Sequence, residues 1–318
     1  MNASSYRDSQ VTYVGMDNEM IEDVQVKTGG VDAASPLGTG LVINVVTKSG
    51  GNKFSGSAGF SYQPDGWNGD NSPTGAGFAG TPSINVVKQL DTAVGGPIFQ
   101  DRFWFFGSFR VSRIESGISR TEREVRNLQT LSGLRLFDLS GRDYGTVPQF
   151  EAFNQEVENF QPYLKLTGSF NPNHEGTFYY QRDLQTNGSN REYLWGPIWF
   201  VETGGSLYGA KWTAVWGTDT TSQFTFNYND KTAQSDFNKT PTDGSYIEIH
   251  EGYTESRGEL EGYGRIIAGN ADESTGENPA RVILFRFDLT HYMEGWGGSH
   301  EFQTGVFLAP ENPVSYTH

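Results

Sequence analysis

The sequence predicts an all-β fold, a partial transmembrane antiparallel β-barrel of about nine strands with open edges. Three observations predict it. Short stretches alternate apolar and polar residues, the connections between them are by turns very tight and very long, and 40 Gly, 22 Phe, 15 Tyr and 7 Trp favour turn-rich β-structure over helices.

The first fifty residues have their own texture. Ile21 to Val26 reads as a strand, Thr28-Gly29-Gly30 as a turn, and Leu41 to Lys48 as a more continuously apolar strand, a run that suggests burial on both faces. From about residue 52 the alternation begins. Phe103, Phe105, Phe109 and Val111 share one face of a strand and Ser108, Arg110 and Ser112 the other. Phe160, Leu164, Leu166 and Phe170 are set against Tyr163, Lys165, Thr167 and Ser169. The pattern returns with Tyr208, Ala210, Trp212, Ala214 and Trp216 against Lys211 and Thr213, and with Phe224, Phe226 and Tyr228 against Gln223, Thr225 and Asn227. A last case sets Ile283, Phe285, Phe287 and Leu289 against Arg286, Asp288 and Thr290. Strands are expected near 53–63, 87–96, 103–116, 160–170, 176–186, 206–217, 222–233, 281–293 and 300–308.

Alternation alone fits a soluble sandwich equally well. Connection lengths separate the two readings. Residues 97–102, 171–175 and a few around Gly217 have turn chemistry, whereas 64–86, 117–159, 187–205 and 234–280 are longer than a compact soluble domain usually carries. Short turns on one side and long loops on the other match an outer-membrane barrel, with apolar side chains towards lipid and polar ones towards the lumen. Trp104, Trp212, Trp216 and Tyr292 lie towards strand ends, where an interfacial girdle would sit, although ordinary β-core aromatics would look the same.

Net charge of −15 and the lack of a basic stripe argue against nucleic acid as a partner. The absence of Cys removes disulfides and thiol chemistry and suits an oxidising compartment. No apolar run is long enough for a transmembrane helix, and residues 1–20 have no signal-peptide pattern.

Enzyme motifs are nearly absent, and no catalytic residues, metal or cofactor are expected. Gly75-Ala76-Gly77-Phe78-Ala79-Gly80 matches a dinucleotide fingerprint in letters but lacks the βαβ setting that places a pyrophosphate on a helix N-terminus. His174, His250, His291, His300 and His318 show no metal-ligand spacing and are expected at turns or on the surface. Asp65 to Asn71 offers oxygen ligands at short spacing without the EF-hand pattern. Trp67, Trp195 and Trp199 are the candidate ligand-binding residues, since aromatics in extracellular loops can stack on sugar rings or apolar ligands. Loop packing is the competing role.

Ile21 to Gly30, followed by Gly40 to Gly56, resembles the end of the plug entering the first barrel strand in TonB-dependent receptors of the Oar-like branch. Val94 to Phe109 is similar to the first periplasmic hairpin of that branch. The resemblance implies that residues 1–50 are the end of a plug, with Val24, Val26, Gly29, Gly30, Asn44, Val46 and Thr47 in it, and that 51–318 are the first part of the barrel. It also implies an outer-membrane location and non-enzymatic, energy-coupled uptake of a ligand such as an oligosaccharide or peptide. Outer-membrane lipid, the TonB complex and an extracellular ligand would be the partners. No TonB box or front half of a plug is seen, and about nine strands stand where such receptors have about 22, so the chain is expected to be a fragment. The alternatives are an adhesion or export-associated barrel, and a secreted carbohydrate-binding or carbohydrate-active β protein.

Overall fold

The computed structural model describes residues 16–27, 42–67, 85–117, 129, 132–137, 143–146, 154–189, 199–237, 245–250, 259–260, 264–270, 276–295 and 297–309. An amino-terminal arm carries a 3-10 turn, Asn18–Met20, and the paired strands β1 (Ile21–Lys27) and β2 (Val42–Thr47). Beyond it run β3 (Ser55–Gln63), β4 (Asn85–Phe99), β5 (Phe103–Gly117), β6 (Arg135–Phe137), β7 (Asp143–Thr146) and β8 (Asn154–Asn171). Next come β9 (His174–Ser189), β10 (Trp199–Trp216), β11 (Thr220–Phe237) and β12 (Ser245–His250). The last are β13 (Glu259–Leu260), β14 (Gly264–Asn270), β15 (Gly276–Gly295) and β16 (Gly298–Leu308).

Nine of these form one antiparallel sheet in the order β3-β4-β5-β8-β9-β10-β11-β15-β16, open at β3 and β16. Each sheet strand contains most or all of one expected from the alternation, and the connections fall as expected. Gln100–Arg102, Pro172–Asn173 and Gly217–Asp219 turn tightly at one end of the sheet, the turn end. Asp101 and Gly217 take positive φ, 61° and 65°, which such short turns demand. At the opposite, loop end, the long connections carry two small sheets of their own, β6-β7 and β12-β14-β13.

The strands exceed expectation at the loop end. β10 begins at Trp199 rather than near 206 and β8 at Asn154 rather than near 160. A span of about 9–11 residues crosses a bilayer, whereas β8, β10 and β11 have 18 residues each. In β8 the added ladder is polar, Asn154-Gln155-Glu156, and backbone pairing continues there without an apolar face to announce it, whereas in β10 it opens with Trp199-Phe200-Val201.

Candidate functional site

Pairing register assigns every side chain of the sheet to one of two faces, and their chemistries differ. One face bears the arm. The other is a belt of Phe160, Leu164, Leu166, Phe178, Phe285 and Phe287, all 36–41% exposed, with Val94 and Val306 more exposed still. The predicted split is observed: Phe103, Phe105, Phe109 and Val111 lie on the belt face, and Ser108, Arg110 and Ser112 on the arm-bearing face, where both serines are buried.

Aromatics and charges bound the belt. Towards the turn end Phe99, Phe103 and Phe170 meet edge to face, and His174, Trp212 and Trp216 form a second cluster. Towards the loop end Tyr208 packs between Tyr180 and Tyr228. Just beyond stand ion pairs, Arg281 Nε to Asp230 at 3.3 Å and Lys88 Nζ to Glu115 at 3.8 Å, with Arg113 held among Glu115, Glu156 and Glu158. Exposed pairs of this kind add little stability, and they bound the apolar belt at its loop end. From Tyr208 to Trp216 is about 26 Å along the strand at the usual rise, or about 20 Å of height at a 40° tilt, close to the apolar band of an outer-membrane strand. Trp212 and Trp216 stand where the girdle was expected; Trp104 and Tyr292 do not. Both occupy the arm-bearing face, where Trp104 Nε1–H donates to Asn52 Oδ1 at 2.7 Å and Tyr292 Oη–H to Glu301 Oε1 at 3.5 Å, because each is one residue out of phase with the belt.

On the arm-bearing face, four contacts hold the arm to β4, β5 and β8. Asp17 caps the 3-10 turn, its Oδ1 accepting from Glu19 N at 3.1 Å, and that turn lowers Met20 onto Ala93, Phe106 and Tyr163. Met20 is 1% exposed. Beside it Arg110 lies between Asp91 and Asp17, with Nη2 at 2.9 Å from Asp17 Oδ1. Burial is the largest influence on the Asp17 carboxyl and pushes its pKa up, against the lowering by the Glu19 amide and Arg110. Its Oδ2 has no hydrogen-bond partner among the described residues. Third, Thr47 is gripped by β8: Tyr163 donates to its Oγ1 at 2.8 Å, and Lys165 Nζ donates to its carbonyl oxygen at 2.8 Å. Fourth, Asn52 Oδ1 accepts from Asp101 N at 2.9 Å as well as from Trp104, tying the arm to the β4–β5 turn.

The arm reaches β3 by passing very close to the sheet. A Cβ on Gly50 would stand 2.1 Å from the Phe105 carbonyl oxygen, so only glycine fits. Phe54 then packs on Phe105, with ring centroids 6.3 Å apart, over Gly96.

The remaining predicted residues are not gathered into one place. Val24 and Val26 lie in β1 opposite Val45 and Ile43 and are 48% and 55% exposed. Asn44 and Val46 pair with Gln25 and Asp23, while Gly29 and Gly30 fall outside the described residues. Trp67 ends a 3-10 turn, Asp65–Trp67, and is 76% exposed. Trp199 opens β10, five strands across the sheet from β3 and so about 24 Å away at normal strand spacing, and Trp195 falls outside the described residues. The formal GxGxxG segment also lies outside them, as does the end of the Asp65–Asn71 stretch. Sequence reasoning missed Asp17, Met20, Asn52 and the grip of Tyr163 and Lys165 on the arm. Arg110 was placed on the right face, and an arginine between two serines there was the available sign that something covers it.

No family model matches the chain. The chain is 28% identical over 166 residues to the TonB-dependent transporter Oar of Myxococcus xanthus, a match over 50% of this chain and 15% of that protein's length. Among solved structures, the siderophore receptor PiuA of Acinetobacter baumannii aligns with a TM-score of 0.37 and 12% identity, over 94% of this chain and 52% of that one. The sequence likeness supports a TonB-dependent receptor, the family that residues 21–56 and 94–109 resemble.

Proposed function

We propose that the chain forms part of the wall and the end of the plug of an outer-membrane TonB-dependent transporter that takes up a ligand without covalent chemistry. One observation carries this reading: the sheet has an apolar face with aromatic and charged margins about 20 Å apart, and its opposite face grips the arm through Arg110, Tyr163 and Lys165. A soluble binding protein has no use for the first feature, and an unplugged barrel none for the second. In this reading residues 1–50 end the plug and 51–318 begin the barrel. The ligand, an oligosaccharide or peptide, reaches the lumen from the loop end, where Trp67, Trp195 and Trp199 are candidates to contact it. TonB acts from the turn end and rearranges the plug at the expense of the proton-motive force. Uptake by the gene's deletion strain tests the proposal. One class of solute should fail to enter the deletant, and an uncoupler should abolish its entry into the parent; identical solute profiles in the two strains would overturn uptake as the function.

A further inference from the structure

The arm is held to the sheet in two ways that differ in kind. Upstream of Ser49 it is one body. β1 and β2 pair from Ile21 with Thr47 to Lys27 with Val42, and the Lys48 N–H donates to the Met20 carbonyl oxygen at 2.8 Å, so the 3-10 turn, β1 and the end of β2 are joined to one another as well as to the wall. This body docks against a penalty. Asp17 Oδ2 has no hydrogen-bond partner among the described residues, and neither has Ser108 Oγ, which lies between Ala93 and Tyr163 in the row that Met20 covers. A buried polar atom left unpaired opposes the state that buries it, because water satisfies it on release.

Downstream the contacts are complete. Asn52 Oδ1 accepts from both Asp101 N and Trp104 Nε1, while Asn52 Nδ2 donates to the Asp101 carboxylate, a charge-assisted bond. Two residues on, Phe54 packs on Phe105. Between the two regions lie Ser49, Gly50 and Gly51. A Cβ on Gly51 would meet nothing within 4 Å, so the backbone there can turn without a side chain in the way.

We infer that Asn52 is a positioning residue for the energy-coupled step: the arm releases as one unit up to Lys48, turns about residues 49–51, and stops at Asn52, so that β3 keeps its register while the plug rearranges. β3 needs such a stop. Among the described residues it pairs on one side only, with β4, and the arm runs directly into the first pair of that ladder, Ser55 with Gly95. Without the anchor a displaced arm acts on Ser55 itself and opens the ladder from its end. This inference rests on the transport reading above, in which the plug is pulled from the turn end.

Hydrogen exchange of the full-length protein in vesicles, resolved to single amides, tests it. The Lys48 N–H reports on the arm and the Asp101 N–H on the anchor. In Arg110→Met, exchange at Lys48 and across Ile21–Lys27 should rise together, roughly a hundredfold or more, with Asp101 within about twofold of the parent. Asn52→Ala alone should speed Asp101 and leave Lys48 as it was. In the double variant the rise should spread into β3 over residues 55–59, which neither single variant shows and which a merely local role of Asn52 would not produce. Faster exchange at Asp101 in Arg110→Met alone, a Lys48 amide that stays protected while Ile21–Lys27 does not, or no spread in the double variant overturns the inference. If Arg110→Met does not insert, Met20→Ala takes its place in both variants and is read by the same outcomes. Identical solute uptake by the deletion strain and its parent would instead strike the transport reading and leave these exchange rates unaltered.

Discussion

Phe224 and Gln223 are neighbours on β11 with opposite fates. Phe224 stands on the belt face between Trp212 and Phe287, and Gln223 on the arm-bearing face between Thr213 and Asp288. Tyr228 marks the loop-end margin of the belt on this strand and Thr220 the turn-end margin, so Phe224, four residues from each, sits at mid-depth. An arginine there has the bilayer centre for surroundings, at a cost of about 2–4 kcal/mol, which is about 30- to 700-fold in the folding equilibrium. Gln223→Arg brings the same charge to the other face, beside the Asp288 carboxylate, and should leave folding within about 0.5 kcal/mol of the parent. Urea titration of the full-length protein in vesicles, followed by heat-modifiable mobility, measures both. If Phe224→Arg folds like the parent and Gln223→Arg does not insert, the two faces have been assigned the wrong way round.

The grip on the arm makes further expectations. Arg110→Met leaves Asp17 and Asp91 without their cation, and hydrogen exchange over residues 16–27 should rise as docking weakens by about 3–5 kcal/mol. Tyr163→Phe removes one hydrogen bond to Thr47 while Lys165 keeps its own, so the same measurement should show a loss of about 1 kcal/mol. The Asp17 carboxyl binds its proton more tightly when docked than when free, so docking should strengthen as pH falls through the raised value. It should level off below the ordinary aspartate range, and Asp17→Asn should abolish that dependence. Ser108→Arg, on the arm-bearing face but 5% exposed between Ala93 and Tyr163, should still insert yet release the arm to protease.

Much of the fold was legible because a bilayer-spanning strand must alternate, and Phe103 to Val111 or Phe224 to Tyr228 cannot do so without declaring both faces. Strand ends at the loop side were not legible. Beyond the belt, residues such as Asn154, Gln155 and Glu156 spell no apolar face in the sequence, and backbone pairing carries the ladder on. Trp104 misled because an aromatic near a strand end reads the same on either face; its position one residue from Phe103 and Phe105 held the answer. The dock was hidden for another reason. Asp17 and Met20 lie more than seventy residues from Ala93 and Arg110, and no local pattern records that a methionine fills a gap between two strands or that Arg110 serves two carboxylates. Of the candidate tryptophans, Trp67 stands exposed in the turn after β3, and Trp199 opens a strand five places across the sheet from it.

Everything above depends on one face of the sheet meeting lipid. A nitroxide scan along β11 from Thr221 to Asn229, in the full-length protein reconstituted in vesicles, tests this most directly. The account predicts a period of two, with labels at Ser222, Phe224, Phe226 and Tyr228 relaxed by oxygen dissolved in the bilayer and labels at Gln223, Thr225 and Asn227 relaxed instead by a water-soluble nickel chelate or shielded from both. Equal access of the nickel chelate to Phe224 and Gln223 would mean that no lipid covers the belt, and the transmembrane reading would fall with it.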